Sequence, residues 1–459
     1  MPAKVPSSKT SHVLAFLKKH SLKESDLIEV AKGETVLKGT VIPSKSPEIL
    51  ELKLSSGYNA GIIVKEISGA KKLGEGKKVS KAQTRSFPEK PGLPNIAVLH
   101  TGGTIASRVD YRTGAVFSSF QTEDLLTMFS ELHDIANISS THLANMWSED
   151  MRFAHYKIMA RAVEKEAKKG VDGVIIAHGT DTMHYSAAAL AFALENVSIP
   201  VILVGAQRSS DRGSSDAAMN LICAASFIAK TDFAGVAICM HHSASDDVCA
   251  ILPACKTRKM HTSRRDAFKA INGKPVALVN VNSRNVEFLE KNYAKKGAEK
   301  EKLVVKDKFE EKVGILKAHV NMFPEEIDFY RKQKYKGLVL EGFALGQFPI
   351  AAPNPQAKKN LEVRKALEKL VKSGCVVVMA TQCIFGRVHM HVYDKAVDLQ
   401  NIGVIPAEDM TSETAFIKLA WLLSNYPKKE VSTMLGENLR GEISERTEFE
   451  EDFLAEKNA

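Results

Sequence analysis

The 459-residue chain contains no Cys-x-x-Cys pair. Its six cysteines, Cys223, Cys239, Cys249, Cys255, Cys375 and Cys383, therefore suggest neither a disulfide framework nor a zinc ribbon, and a reducing compartment suits them best. His241, His242, Cys249 and Cys255 fit no standard zinc spacing, and no thiol sits in a nucleophile signature. A Gly-x-x-x-x-Gly-Lys-Ser/Thr loop is also missing, so nothing in the chain reads as a P-loop site for ATP. The longest apolar stretch, Ala187 to Ala206, is broken by Glu195, Asn196 and Pro200 and reads as helix, turn and strand rather than a membrane span. Val13 to Leu17 is too short for a signal-peptide core, although Lys4, Lys9, Lys18 and Lys19 surround it. No internal repeat is present. These absences are consistent with a cytoplasmic enzyme without demanding one, and no metal and no cofactor is expected in the chain itself.

Charge adds little. Lys+Arg 63 against Asp+Glu 54 gives +9, a bias that tolerates an RNA partner and that solubility explains equally well. The length predicts two or three domains. Residues 1–20 read as a basic extension. Residues 21–69 alternate like short strands and read as a small β-barrel domain, with Val36, Val41, Ile49, Leu52, Leu54, Ile62, Val64 and Ile67 as its core. A Lys-, Gly- and Pro-rich linker follows at 70–93. From 94 to 287 strands and helices alternate as in a large wound α/β domain. A Lys/Glu-dense stretch at 288–312 reads as a solvated connector, and 313–459 as a smaller α/β domain.

Two polar motifs carry the chemistry. Thr101-Gly102-Gly103-Thr104 follows the apolar run Ile96 to Leu99, and His178-Gly179-Thr180-Asp181-Thr182 follows Val174 to Ala177. Such runs are expected of parallel strands covered on both faces, and ligands bind at the carboxyl edge of such sheets. A threonine hydroxyl needs a base or proton relay to act as a nucleophile at neutral pH. Thr104 has Tyr111 downstream; Thr180 has Asp181 beside it. Lys259, if desolvated, is a candidate general base. Each residue also has a plainer reading: a turn or cap for the Gly/Thr motifs, a packing role for Tyr111, a solvated basic loop for Lys259 and its neighbours Lys256, Arg258, Arg264 and Arg265, and a helix cap for Ser148 and Glu149.

The ordered pair of motifs resembles the paired signatures of the L-asparaginase family. A third block, Gly205-Ala206-Gln207-Arg208 with its continuation Ser209 to Asn220, is most similar to one branch of it, the D subunits of archaeal glutamyl-tRNA(Gln) amidotransferases. The leading barrel and the tail Gly441 to Thr447 extend that likeness over nearly the whole chain. It implies an asparaginase-like two-domain wound α/β body preceded by a small β-barrel. By residue-for-residue match it assigns Thr104 as the acyl-accepting threonine, Thr180, Asp181 and Lys259 as its catalytic companions, and Tyr111 as the flexible-loop tyrosine. Ser148 and Glu149 match the segment that holds the substrate's α-amino and α-carboxylate groups. Gly103, with Gly102 and Thr180, would supply backbone N–H groups to the developing oxyanion. The implied reaction is release of ammonia from glutamine or asparagine through an acyl-threonine ester. A partner, the amidotransferase E subunit, would bind tRNA(Gln), activate the glutamyl group with ATP and magnesium, and receive the ammonia. Homodimers within a heterotetramer are implied; a free-standing L-asparaginase is the alternative.

Overall fold

The computed structural model describes residues 12–33, 35–42, 44, 46–54, 59–75, 89–102, 107–110, 115–118, 130–208, 215–297 and 302–447. Five strands come first, β1 (Asp26–Lys32), β2 (Thr35–Ile42), β3 (Ile49–Leu54), β4 (Asn59–Ile63) and β5 (Gly69–Glu75), antiparallel in the order β4-β3-β2-β1-β5. Among the described residues no ladder joins β4 to β5. Leu50 and Leu52, two residues apart on β3, are fully buried with Ile28, Val30, Val41 and Ile62. Ile49 was expected inside but lies one residue out of that period, and so turns toward the opposite face. Val36, expected inside as well, is exposed.

The amino-terminal boundary differs from expectation. His12–Lys19 is a helix, α1, that buries Val13, Phe16 and Leu17 in the same core as the strands. The spacing i, i+3, i+4 of these three residues makes an apolar stripe, and the lysines fall outside it. Likewise Gly69–Glu75, which runs past the expected barrel boundary into the expected linker, is a strand hydrogen-bonded to β1. Its Lys71 and Lys72 are exposed, and Lys72 reaches back to the buried Asp26 carboxylate at 2.7 Å.

The body follows with β6 (Asn95–Gly102), the hairpin β7 (Ser107–Asp110) and β8 (Ala115–Ser118), β9 (Asn137–Met146), β10 (Gly173–Ala177), β11 (Leu194–Glu195), β12 (Pro200–Val204), β13 (Gly235–His241), β14 (Val248–Pro253), β15 (Thr257–Lys259), β16 (Phe268–Ala270), β17 (Ala277–Asn280) and β18 (Val286–Phe288). Eight of these make one sheet in the order β18-β17-β14-β13-β12-β10-β6-β9; the five strands from β13 to β9 are parallel. Helices α2 (Phe153–Lys168), α3 (Met183–Ala193) and α4 (Ala217–Lys230) cover it. Alternation is strict: Leu99, Val174, Ile176 and Leu203 face one core, Val98, Ile175, Ala177 and Ile202 the other. Burial on both faces explains why the strands read as unbroken apolar runs.

In the second lobe β20 (Val313–Lys317), β21 (Gly337–Gly342), β22 (Val376–Thr381) and β23 (Val404–Pro406) form a parallel sheet in chain order. The short β19 (Val304–Val305) precedes it and pairs with β11. Helices α5 (Pro324–Lys332), α6 (Lys359–Lys372) and α7 (Asp394–Asn401) pack on one face; α8 (Ser412–Asn425) packs on the other, followed by α9 (Lys428–Leu435). Because α8 also lies against α3, a single core runs from the large sheet into the small one. The stretch expected as a solvated connector is part of that structure. Tyr293 stacks on Phe288, Val305 and Phe309 pack on the shared core, and the Trp421 indole N–H donates to Lys306 O. Its charged residues divide: Lys291 and Lys308 are exposed, whereas Asp307 is buried and holds Arg161 at 2.6 Å.

Candidate active site

Strands β6 and β10 are neighbours in register, His100 beside Ala177, so they end side by side at the carboxyl edge of the sheet. The Thr101 hydroxyl ties the pair by donating to Ala177 O at 3.1 Å. Gly102 has φ +102°, and a Cβ there would lie 2.6 Å from both N and O of Met146 on β9. Only glycine fits so close an approach. Gly103, Thr104 and Tyr111, the nucleophile loop of the sequence reading, lie outside the described residues.

The second loop is built on a buried histidine. Burial drives His178 down to about 4, so the ring is neutral at physiological pH. Its Nδ1–H points at Gly179 O and its Nε2 accepts from Ser186, while its backbone N–H donates to Val204 O. Both ring nitrogens are thus spent on holding the loop. Gly179 admits Ser148: a Cβ there would come within 2.8 Å of the serine Cβ and Oγ. Gly205, at the end of β12, is packed equally tightly behind Thr180, its missing Cβ 2.7 Å from the threonine methyl.

Three expected residues converge here. Lys259 at the end of β15 places Nζ 2.9 Å from Thr180 Oγ1 and 2.7 Å from Asp181 Oδ1. The lysine is mostly buried, whereas Asp181 is 61% exposed, leaving one side of the carboxylate open to a ligand. Ser148, buried in a short turn at 148–150, accepts the Asp181 N–H at 3.1 Å, and its carbonyl receives the Thr182 hydroxyl at 2.7 Å. Glu149 stands exposed in the same turn. The third sequence block closes the neighbouring loop. Asp216, buried at the start of α4, accepts the N–H groups of Gln207 and Arg208, and Asn220 donates to Gly205 O.

Sequence reasoning missed the surroundings of Lys259. Lys256 and Arg258 are not part of a solvated loop. Lys256 is buried and lies 2.5 Å from Asp409, and Arg258 lies 3.2 Å from Glu413. Beside them His184 is pushed down to about 3, first by burial and then by the positive charges of Arg258 and Lys259. No local spacing signals these partners, which lie on the second lobe. His241, weighed as a metal ligand, engages Asn220 through Nδ1 and Asp246 through Nε2, and Cys249 and Cys255 occupy different cores. No helix among the described residues is long and apolar enough to cross a membrane.

Comparison with known proteins places this geometry. Residues 95–293 match the family model "Asparaginase, N-terminal", 312–435 the "Glutaminase/Asparaginase C-terminal domain", and 22–73 the "GatD N-terminal domain". The chain is 45% identical over 444 residues to the glutamyl-tRNA(Gln) amidotransferase D subunit of Thermococcus kodakarensis, covering 95% of this chain and 98% of that one. It is 42% identical to the Pyrococcus abyssi protein of the same name, with the same coverage. Among solved structures, the thermostable L-asparaginase of Thermococcus kodakarensis superposes with a TM-score of 0.67 at 28% identity, over 76% of this chain and 99% of that one. L-asparaginase I of Vibrio cholerae gives 0.66 at 28% identity, over 77% and 99%.

Proposed function

The chain belongs to the family of glutamyl-tRNA(Gln) amidotransferase D subunits, and from that premise we propose that it releases ammonia from the side-chain amide of glutamine or asparagine for the amidation of glutamyl-tRNA(Gln). The observation that carries the reading is Lys259 Nζ within hydrogen-bond reach of both Thr180 and Asp181 at the carboxyl edge of the sheet. A lysine held against a threonine hydroxyl is the base-and-hydroxyl arrangement that amide chemistry needs.

In this mechanism Thr104 attacks the carboxamide carbon. The C–N bond breaks, ammonia leaves with the proton given up by the threonine, and an ester remains on Thr104. Water then attacks the ester and the acid is released. Thr180 and Lys259 relay the protons, Tyr111 assists at the first loop, and backbone N–H groups near Gly103 receive the oxyanion. Asp181, Ser148 and Glu149 clamp the amino-acid head of the donor, which turns the amide toward the nucleophile. The partner, the amidotransferase E subunit, binds tRNA(Gln) and supplies ATP and magnesium for activation of the glutamyl group. The assembly works in the cytoplasm, with this chain as a homodimer within a heterotetramer.

The test is ammonia release from glutamine and from asparagine by the full chain, alone and with its partner and glutamyl-tRNA. Turnover that is low alone and rises sharply with both is expected. Full turnover that ignores partner and tRNA would instead make the chain a free asparaginase.

A further inference from the structure

Lys259 is carried by a hairpin too small to hold itself. The ladder between β15 and β16 has three residue pairs, and a short isolated hairpin is marginal in water. Yet the lysine must keep its Nζ within tenths of an ångström of two acceptors. The rigidity comes from the other lobe. Thr414 Oγ1 donates to Cys255 O at 2.8 Å, Lys256 Nζ meets Asp409 Oδ2 at 2.5 Å, and Arg258 meets Glu413 Oε1 at 3.2 Å. All three partners sit in or just before the first turn of α8. On the far side of the hairpin Asn272 donates to Asp409 O and Gly386 O and accepts from Gly386 N–H.

A fourth element closes the arrangement. The second oxygen of Asp409 accepts the N–H of Ser444 at 2.9 Å, and Arg387 donates to the carbonyls of Ser444 and Glu445. The tail is anchored in the large lobe as well, through Arg440 to Ala191 O and Glu195. Lys256 and Asp409 are both buried, and a buried ion pair is a poor way to gain stability, since an apolar pair would serve as well. Its distinguishing property is direction. A charge pair hydrogen-bonded on both sides, Lys256 to Asn272 O and Asp409 from the Ser444 N–H, favours one relative placement of hairpin and helix, whereas apolar contacts permit several.

We propose that Asp409, Glu413 and Thr414 are positioning residues for Lys259, and that the segment from Leu439 to Glu445 latches them in place through Ser444. The inference rests on the amidase reading above. The second lobe then has a task in the reaction although none of its residues is placed against the donor: it sets the hairpin on which the base rides.

Glu413→Gln and Thr414→Val test this in the full chain, assembled with its partner and glutamyl-tRNA and assayed for ammonia release from glutamine. Both substitutions preserve volume. Each is expected to lower kcat about tenfold to a hundredfold, the scale of a misplacement near 1 Å, with KM for glutamine and the thermal midpoint little changed. Thr414→Ser, which keeps the hydroxyl, should restore kcat, and neither substitution should lower the residual rate of a Lys259→Arg chain further. Wild-type kcat in both variants, a loss confined to KM, a fall that only tracks the thermal midpoint, or an additive effect on Lys259→Arg would each overturn the proposal. An unsubstituted chain that releases no ammonia from either donor under any of these conditions would sink the amidase reading itself, and this inference with it.

Discussion

Two lysine–carboxylate pairs in this molecule look alike in distance and differ in everything else. Lys418 and Glu442 are 2.6 Å apart and fully buried. The ammonium also meets the carbonyls of Leu435 and Glu437, and the carboxylate accepts the N–H groups of Leu439 and Arg440. Burial pulls Lys418 below the ordinary lysine value while Glu442 pulls it back up. Lys259 and Asp181 are 2.7 Å apart, but the carboxylate is open to solvent and the lysine's other acceptor among the described residues is a threonine hydroxyl. A lysine with three committed acceptors is a rivet. One that shares its proton with a hydroxyl and faces a carboxylate open on one side can take part in chemistry.

The contrast breaks most readily at Lys259. Lys259→Ala and Thr180→Ala should each cut ammonia release by about 10³-fold, within the span of general acid–base effects, with unfolding transitions close to wild type. A well-folded variant with near-normal turnover would remove that residue from the mechanism. At the other pair the signs reverse. Glu442→Gln strands a buried ammonium and should cost about 3–5 kcal/mol in denaturant unfolding, while Lys418→Met combined with Glu442→Leu should recover most of it. The folded fraction of either variant is expected to keep its KM.

His178 sharpens the comparison, because it lies in the site loop yet acts on stability. Its folded value of about 4 is below the ordinary 6.5. Above about pH 6.5 it is neutral folded or unfolded; below that, the unfolded chain binds the extra proton and the fold does not. Stability should therefore fall as pH drops from 6.5 toward 4, by up to roughly 3 kcal/mol at 1.36 kcal/mol per unit. Urea unfolding of wild type and His178→Gln at pH 7 and pH 4.5 measures it, and equal acid losses in the two would refute the assignment. The smallest effect is expected at Cys249→Ser. The thiol is buried against Asn220, away from Lys259, and turnover should stay within about twofold, with at most ~1 kcal/mol lost.

Much of this architecture is visible in the chain because one local pattern dictates it. Ile96 to Leu99 and Val174 to Ala177 are apolar on every residue since both faces of their strands are covered, and they became adjacent parallel strands, with Thr101 and Gly102 at the same edge as the second motif. Residues 154–169, 216–228 and 361–371 each carry a helical apolar period, and they are α2, α4 and α6. The amino-terminal helix was hidden by its lysines: a single turn-and-a-half of stripe, Val13, Phe16 and Leu17, is too little to stand out from a basic background. Less visible still was the setting of Lys259. Its neighbours Lys256 and Arg258 have the composition of a solvated loop, and what pairs with them lies at a helix start more than a hundred and fifty residues away, linked by no periodicity or spacing.

That separation has a consequence in time. Lys256 and Asp409 are 153 residues apart, which at 5–20 residues per second is ~8–30 s of synthesis. Throughout that interval a growing chain already carries Thr180, Asp181 and Lys259 but not the helix that steadies the hairpin. On the positioning proposed above, the hairpin that carries Lys259 gains its support only when the second lobe has been made.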